Sequence, residues 1–246
     1  MPKASSGIGK GKGRVKGKIT PATLAYKEFT AEPLSPLTPG DTYDYGKDGS
    51  VETKWFEENT NFREILSTIS SSDEDALHQF TIGHFMDGQQ YRGFSSMSVY
   101  DKQMVRRYDS MLDRSVISAN VKLTRSATPE LLLGGGVRTT TLTELQAMKG
   151  RVITSKANLS TAAAKVGLAI GDPSKQIEYK IHIPAGSKGA GMYIGVHGIH
   201  AWGERQREFM LNRDTNWLVG DARYDKKRGV YEVDLYFVTR IPHDYS

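Results

Sequence analysis

An α+β fold is predicted by three features of this 246-residue sequence. Apolar residues recur at helical spacing between about residues 60 and 118, they recur at strand spacing from Ile177 onward, and no internal repeat interrupts the progression. Helices in the N-terminal half and strands in the C-terminal half make one domain the simplest organisation, over residues 33–246, preceded by a basic Gly/Lys-rich flexible tail and linker over residues 1–32.

Residues 1–18 carry Lys3, Lys10, Lys12, Arg14, Lys16 and Lys18 and no acid. Of the formal net charge of +5, the tail therefore supplies +6, and the rest of the chain sums to −1. Such a segment cannot bury a core and is expected to stay disordered, with contact to nucleic acid or another anionic surface as the sharper reading. Gly17-Lys18 is followed by Ile19, and no strand precedes it, so the glycines do not form a phosphate loop. Residues 31–50 are rich in Pro, Gly, Asp and Thr and read as an extended linker.

Phe62, Ile65, Leu66 and Ile69 fall at i, i+3, i+4 and i+7, which predicts a first helix beginning near Thr60. A second helix, with Ser72 or Asp73 as cap, carries Leu77, Phe80 and Phe85. A third is expected from about Val99 to Ser118, with Met104, Tyr108, Met111, Leu112 and Val116 facing inward. Val121–Thr124 reads as a short strand, Gly134–Gly136 as a loop, Thr143–Lys149 as one or two helical turns and Arg151–Thr154 as a strand. After Thr161 an Ala-rich helix is expected to run to about Gly171, capped by Ser160 or Thr161.

From Ile177 the pattern is β. Ile177, Tyr179, Ile181 and Ile183 alternate with Glu178, Lys180 and His182. Strands at Met192–Val196, Glu208–Leu211, Trp217–Val219 and Val230–Val238 follow, the last pair joined by a loop at Lys226-Lys227-Arg228-Gly229.

Composition removes several chemistries. The absence of cysteine excludes disulfides, thiolate nucleophiles and cysteine metal sites. The N-terminus has no apolar core of a signal peptide, and no apolar run approaches the ~18 residues of a membrane span. A Gly-x-Ser-x-Gly elbow and a Gly-x-Gly-x-x-Gly turn are both missing, which argues against a hydrolase triad and a Rossmann nucleotide site. His197 and His200 have metal-like spacing but no third ligand, so no metal is expected.

Four motifs stand in order: Tyr91-Arg92-Gly93, Leu123-Thr124-Arg125-Ser126, Leu159-Ser160-Thr161-Ala162 and Gln206-Arg207-Glu208. On a strand Gln206 and Glu208 share one face, and Phe209 and Leu211 the other. This order, with the turn Pro184-Ala185-Gly186-Ser187-Lys188-Gly189, resembles the mono-ADP-ribosyltransferases of the bacterial exoenzyme and binary-toxin type, with their Arg, Ser-Thr-Ser and Gln/Glu-x-Glu motifs. Phage-encoded transferases are a related group. The resemblance covers roughly residues 75–240.

The resemblance implies an ADP-ribosyltransferase-like fold, with N-terminal helices packed on two small β-sheets that form an NAD cleft. NAD is then a substrate, and ADP-ribose passes to a protein side chain as nicotinamide leaves. By the same resemblance Arg125 holds the NAD phosphates and ribose, Arg92 touches the pyrophosphate, and Ser160, or Thr161 beside it, contacts the nicotinamide ribose and orients the catalytic Glu208. Gln206 occupies the acceptor-specificity position, where Gln goes with Asn, Gln or guanine acceptors and Glu with Arg. Trp202 corresponds to a target-gripping aromatic, and Glu204 is a second nearby acid. A carboxylate on the ribose 2-hydroxyl stabilises the oxocarbenium-like charge that builds as the nicotinamide bond breaks.

Two departures from the family pattern stand out. Ala162 replaces the last Ser of Ser-Thr-Ser, and Val166, Leu168 and Ile170 occupy a stretch where an aromatic usually meets nicotinamide. The implied partner is a protein of a host or victim cell, reached in its cytoplasm from a phage particle or by specialised secretion. An NAD glycohydrolase uses the same residues, and a nucleic-acid-binding or virion-associated protein with a decayed transferase fold would use the tail.

Overall fold

The computed structural model describes residues 50–81, 94–133, 139–163, 177–194 and 208–243. The basic tail, Phe85, the Gly134–Gly136 loop and the predicted helix beyond Ala163 lie outside these residues.

Four helices open the described chain: α1 (Ser50–Asn59), α2 (Phe62–Ser67), α3 (Ser71–Thr81) and α4 (Val99–Asp113). Helix α1 falls where the sequence reads as linker passing into the first helix. Its sequence SVETKWFEEN carries too few apolar residues to show a period, yet Phe56 is fully buried and stacks on Tyr193 at 4.2 Å. Tertiary packing makes this helix, with little help from amphipathic pattern. Helix α3 is capped two residues before the nearer position expected, Ser72. The Ser70 hydroxyl accepts from Asp73 N at 3.3 Å, and the Asp73 carboxylate accepts from Ser70 N at 2.9 Å, a reciprocal cap.

Helix α4 is N-capped by Ser98, whose side chain accepts from Asp101 N. It buries Met104, Val105, Tyr108, Asp109, Met111 and Leu112, a stripe of period 3.6. It ends at Asp113, five residues before Ser118, because Val116 and Ile117 enter β-bridges with Lys188 and Thr60. Phe80 of α3 stacks on Tyr108 of α4 at 4.5 Å.

Eight strands follow: β1 (Val121–Ala127), β2 (Val152–Ser155), β3 (Leu159–Ala162), β4 (Ile177–Ile183), β5 (Gly191–Tyr193), β6 (Glu208–Leu211), β7 (Thr215–Asp225) and β8 (Val230–Arg240). Two short helices, α5 (Glu130–Leu133) and α6 (Leu142–Gln146), precede β2, and Thr141 closes a capping box with Glu144 on α6. The strands form one sheet in the order β2-β7-β8-β4-β1-β3-β6-β5, where two sheets were expected. The expectation has a physical trace. Strands β1 and β3 share the single register pair Thr124↔Ala162, so five strands on one side and three on the other meet at a narrow seam.

Ser160 and Thr161 belong to β3, not to a helix cap. Strand β3 is paired with β6 along its length, and the Thr161 hydroxyl donates to Phe209 O at 2.5 Å. Strand β4 lies inside the sheet between β1 and β8 and buries all seven residues. Its polar alternates survive burial by pairing: His182 Nε2 lies 2.8 Å from Asp234 Oδ1, and Arg228 donates to Glu178 at 2.8 Å. At β5 the sheet closes so tightly that a Cβ on Gly191 would sit 2.2 Å from Met210 O.

Candidate active site

Strand β1 alternates Val121, Leu123 and Arg125 on one face. Arg125 therefore leaves the apolar side of the strand and sits opposite Tyr179, inside β1 and not at its end. Its Nη1 donates to the main-chain carbonyl of Ser160 across the seam. Its Nε is buried and has no hydrogen-bond partner among the described residues. Burial pulls the guanidinium pKa down, and the Tyr179 and Glu208 side chains oppose that shift. Arginine keeps its charge regardless. The Tyr179 hydroxyl donates to Thr128 O at 3.0 Å, and burial holds it protonated far above its ordinary range.

Glu208 opens β6, pairs with Ala162 and is 5% exposed. Its carbonyl accepts from Ile194 N at 3.0 Å, which fixes the strand start. The row Glu208, Ala162, Thr124 crosses three neighbouring strands and sets the motif glutamate one strand from the seam, within electrostatic reach of Arg125. Tyr108 of α4 lies within electrostatic reach of Glu208. Burial, then the Glu208 and Asp109 charges, push its phenol pKa up. The sequence marked Tyr108 only as a core residue.

A cleft of about 210 Å³ opens against Arg125, walled by Thr128, Glu130 and Leu131 on one side and by Thr154, Ser155, Lys156, Ala157 and Leu159 on the other. The β2–β3 connection is shaped by Ser155 Oγ donating to Ala157 O at 2.9 Å and Asn158 Nδ2 donating to Leu211 O at 3.3 Å. Arg125 and Lys156 give this cleft two cations beside the single acid Glu130, and a guanidinium makes charge-assisted hydrogen bonds to anionic oxygens. The cleft therefore fits a phosphate-bearing substrate. Lys156 was not singled out in the sequence, because a lone lysine in a loop carries no motif.

The structure sets Arg125, Ser160, Thr161 and Glu208 on the neighbouring strands β1, β3 and β6, with Arg125 bonded to the Ser160 carbonyl and within electrostatic reach of Glu208. Arg92, Trp202, Glu204 and Gln206 lie outside the described residues, as do His197, His200 and the stretch with Val166, Leu168 and Ile170. Among the described residues no group of His, Asp or Glu is arranged to hold a metal ion, and no helix is long and apolar enough to cross a membrane.

Solved structures similar to this chain share the fold. C3stau2 from S. aureus, solved with NAD, superposes with a TM-score of 0.62 at 20% identity, over 81% of this chain and 100% of that one. Plx2a, an ADP-ribosyltransferase toxin from Paenibacillus larvae, gives 0.61 at 16% identity, over 80% of this chain and 100% of its own. The C3 exoenzyme of Clostridium limosum gives 0.57 at 17% identity, over 80% and 98%. No curated protein matches in sequence. The profile of the ADP-ribosyltransferase exoenzyme family matches residues 52–236, which take in the arginine strand, the Ser-Thr strand and the Glu208 strand. With three quarters of its length inside that match, the chain belongs to the ADP-ribosyltransferase exoenzyme family and is an NAD-dependent mono-ADP-ribosyltransferase.

Proposed function

We propose that the cleft beside Arg125 binds NAD as substrate and that Glu208 drives transfer of ADP-ribose to a protein side chain. The motif arginine Arg125, lining a cleft at the seam and within electrostatic reach of Glu208, carries this reading. Arg125, with Arg92, binds the pyrophosphate by charge-assisted hydrogen bonds. The bond between the ribose C1 and the nicotinamide nitrogen breaks, and its electron pair leaves with nicotinamide, which becomes neutral. Positive charge grows on the ribose, and the Glu208 carboxylate, oriented by Ser160 with Thr161 beside it, stabilises that charge through the 2-hydroxyl. An acceptor nucleophile then bonds to C1 and gives up its proton.

Gln206, Glu204 and Trp202 are the acceptor-side residues in this reading, and the acceptor is a protein of a target cell. Residues 33–246 form the transferase domain, and residues 1–32 are its basic extension.

Incubating the protein with NAD labelled in the adenylate and with a lysate of candidate target cells tests this. Label in a protein band with wild type, and none with Glu208→Gln, is the expected result. NAD consumed without labelled protein would assign the chain as a glycohydrolase instead.

A further inference from the structure

One cation in the cleft has no place in the reaction as described. Lys156 lies on the β2–β3 connection and lines the cleft with Arg125. Its side chain is 60% exposed, yet its Nζ sits 3.3 Å from Oδ1 of Asp214, which is wholly buried on the β6–β7 connection. Both connections carry the chain across the seam between the two parts of the sheet.

Asp214 is held from several directions. It is the only non-glycine with positive φ among the described residues, at 53°. Its carbonyl accepts from Ile241 N at 2.8 Å. Its Oδ2 lies 3.2 Å from His243 Nδ1 and 3.2 Å from Arg213 Nη1. Arg213 is in turn clamped by Asp109 of α4 through contacts of 2.8–3.1 Å, and His243 Nε2 reaches Asp113 of α4 at 3.1 Å. Arg240 of β8 adds a contact to Asp113 at 3.2 Å.

The charges decide what Lys156 is for. Three carboxylates, Asp109, Asp113 and Asp214, face Arg213, Arg240 and His243. Burial pulls the His243 pKa down, but its hydrogen bonds to Asp113 and Asp214 outweigh this and raise it to about 9. The imidazolium then balances these three carboxylates, contact for contact among those named, without Lys156. An exposed lysine gains little from one ion pair, and its four flexible bonds leave it poorly aimed by itself. A rigid, already compensated carboxylate supplies the aim.

We propose that Lys156 is a second cationic contact for the anionic part of NAD in this cleft, and that Asp214 is the positioning residue that aims it. This rests on the cleft being the NAD site.

The test is equilibrium titration with NAD in the Glu208→Gln background, where turnover does not intrude. Lys156→Gln should weaken NAD roughly tenfold, less so at high salt, and Lys156→Arg should restore most of the affinity. Asp214→Asn, which tolerates the same backbone conformation, should weaken NAD while Lys156 is present and add little once Lys156 is Gln. Additive losses would make Asp214 merely structural and overturn its role. Unchanged affinity in Lys156→Gln would overturn the proposal, and that arm decides even if Asp214→Asn fails to fold. Arg125→Ala in the same background separates the two readings. If it weakens NAD and Lys156→Gln does not, the Lys156 proposal alone falls; if neither weakens NAD, the cleft is not the NAD site.

Discussion

Arg125 on β1 reaches across the seam of the sheet and donates to the carbonyl of Ser160 on β3. The contact lies next to Thr124↔Ala162, the single register pair between these strands. One guanidinium thus closes the joint between two parts of the sheet and also lines the cleft.

This double duty predicts that Arg125→Lys is not conservative. An ammonium cannot reach Ser160 and the ligand with one planar fork. The Kd for NAD, measured by titration, should rise roughly 10- to 100-fold, with each charge-assisted bond contributing about 1.5–3 kcal/mol.

The clasp around His243 makes stability depend on pH. Its folded-state pKa of about 9 lies above the ordinary 6.5, so the protonated form is favoured by folding. The contribution is complete below about pH 6.5 and is lost as pH rises through about 9. A shift of this size corresponds to on the order of 3 kcal/mol. Urea unfolding of wild type and His243→Gln should show a clear gap at pH 6 that closes by pH 10.

Breaking the Arg213–Asp109 pair should cost more than any surface change. Both side chains are at most 5% exposed and the arginine contacts both carboxylate oxygens. Removing one partner strands a buried charge, typically at 3–5 kcal/mol. Arg213→Ala should lower the unfolding midpoint by that equivalent, whereas Arg63→Ala, which removes an exposed ion pair with Glu57, should shift it by less than about 1 kcal/mol.

Gly191→Ala tests the closeness of β5 and β6. The added methyl meets Met210 O at 2.2 Å and Leu211 Cα at 2.9 Å, neither the far end of a flexible side chain. A loss of about 1–3 kcal/mol or more is expected in thermal melts, with reduced activity because β6 carries Glu208.

Much of this protein was legible in its sequence, and the misses have physical causes. Phe62, Leu77, Tyr108 and Leu112 announced helices because their spacing is an amphipathic period. Helix α1 stayed hidden because one ring, Phe56, buried against Tyr193, does the work a stripe does elsewhere. Ser160 looked like a cap because hydroxyls precede helices. Only the pairing of β3 with both β1 and β6 makes it strand, and that information is nonlocal. Arg125 and Glu208 were readable as motif residues. Lys156 and Asp214 were not, because their meeting depends on two connections crossing one seam.

The measurement closest to the central claim is single-turnover nicotinamide release at saturating NAD, with wild type beside Glu208→Gln. Loss of the Glu208 charge should leave the Kd for NAD within about threefold and slow release by roughly 10²–10³. Release at the wild-type rate from the variant, with NAD bound as tightly, would contradict the assignment of Glu208 as the group that stabilises the ribosyl cation.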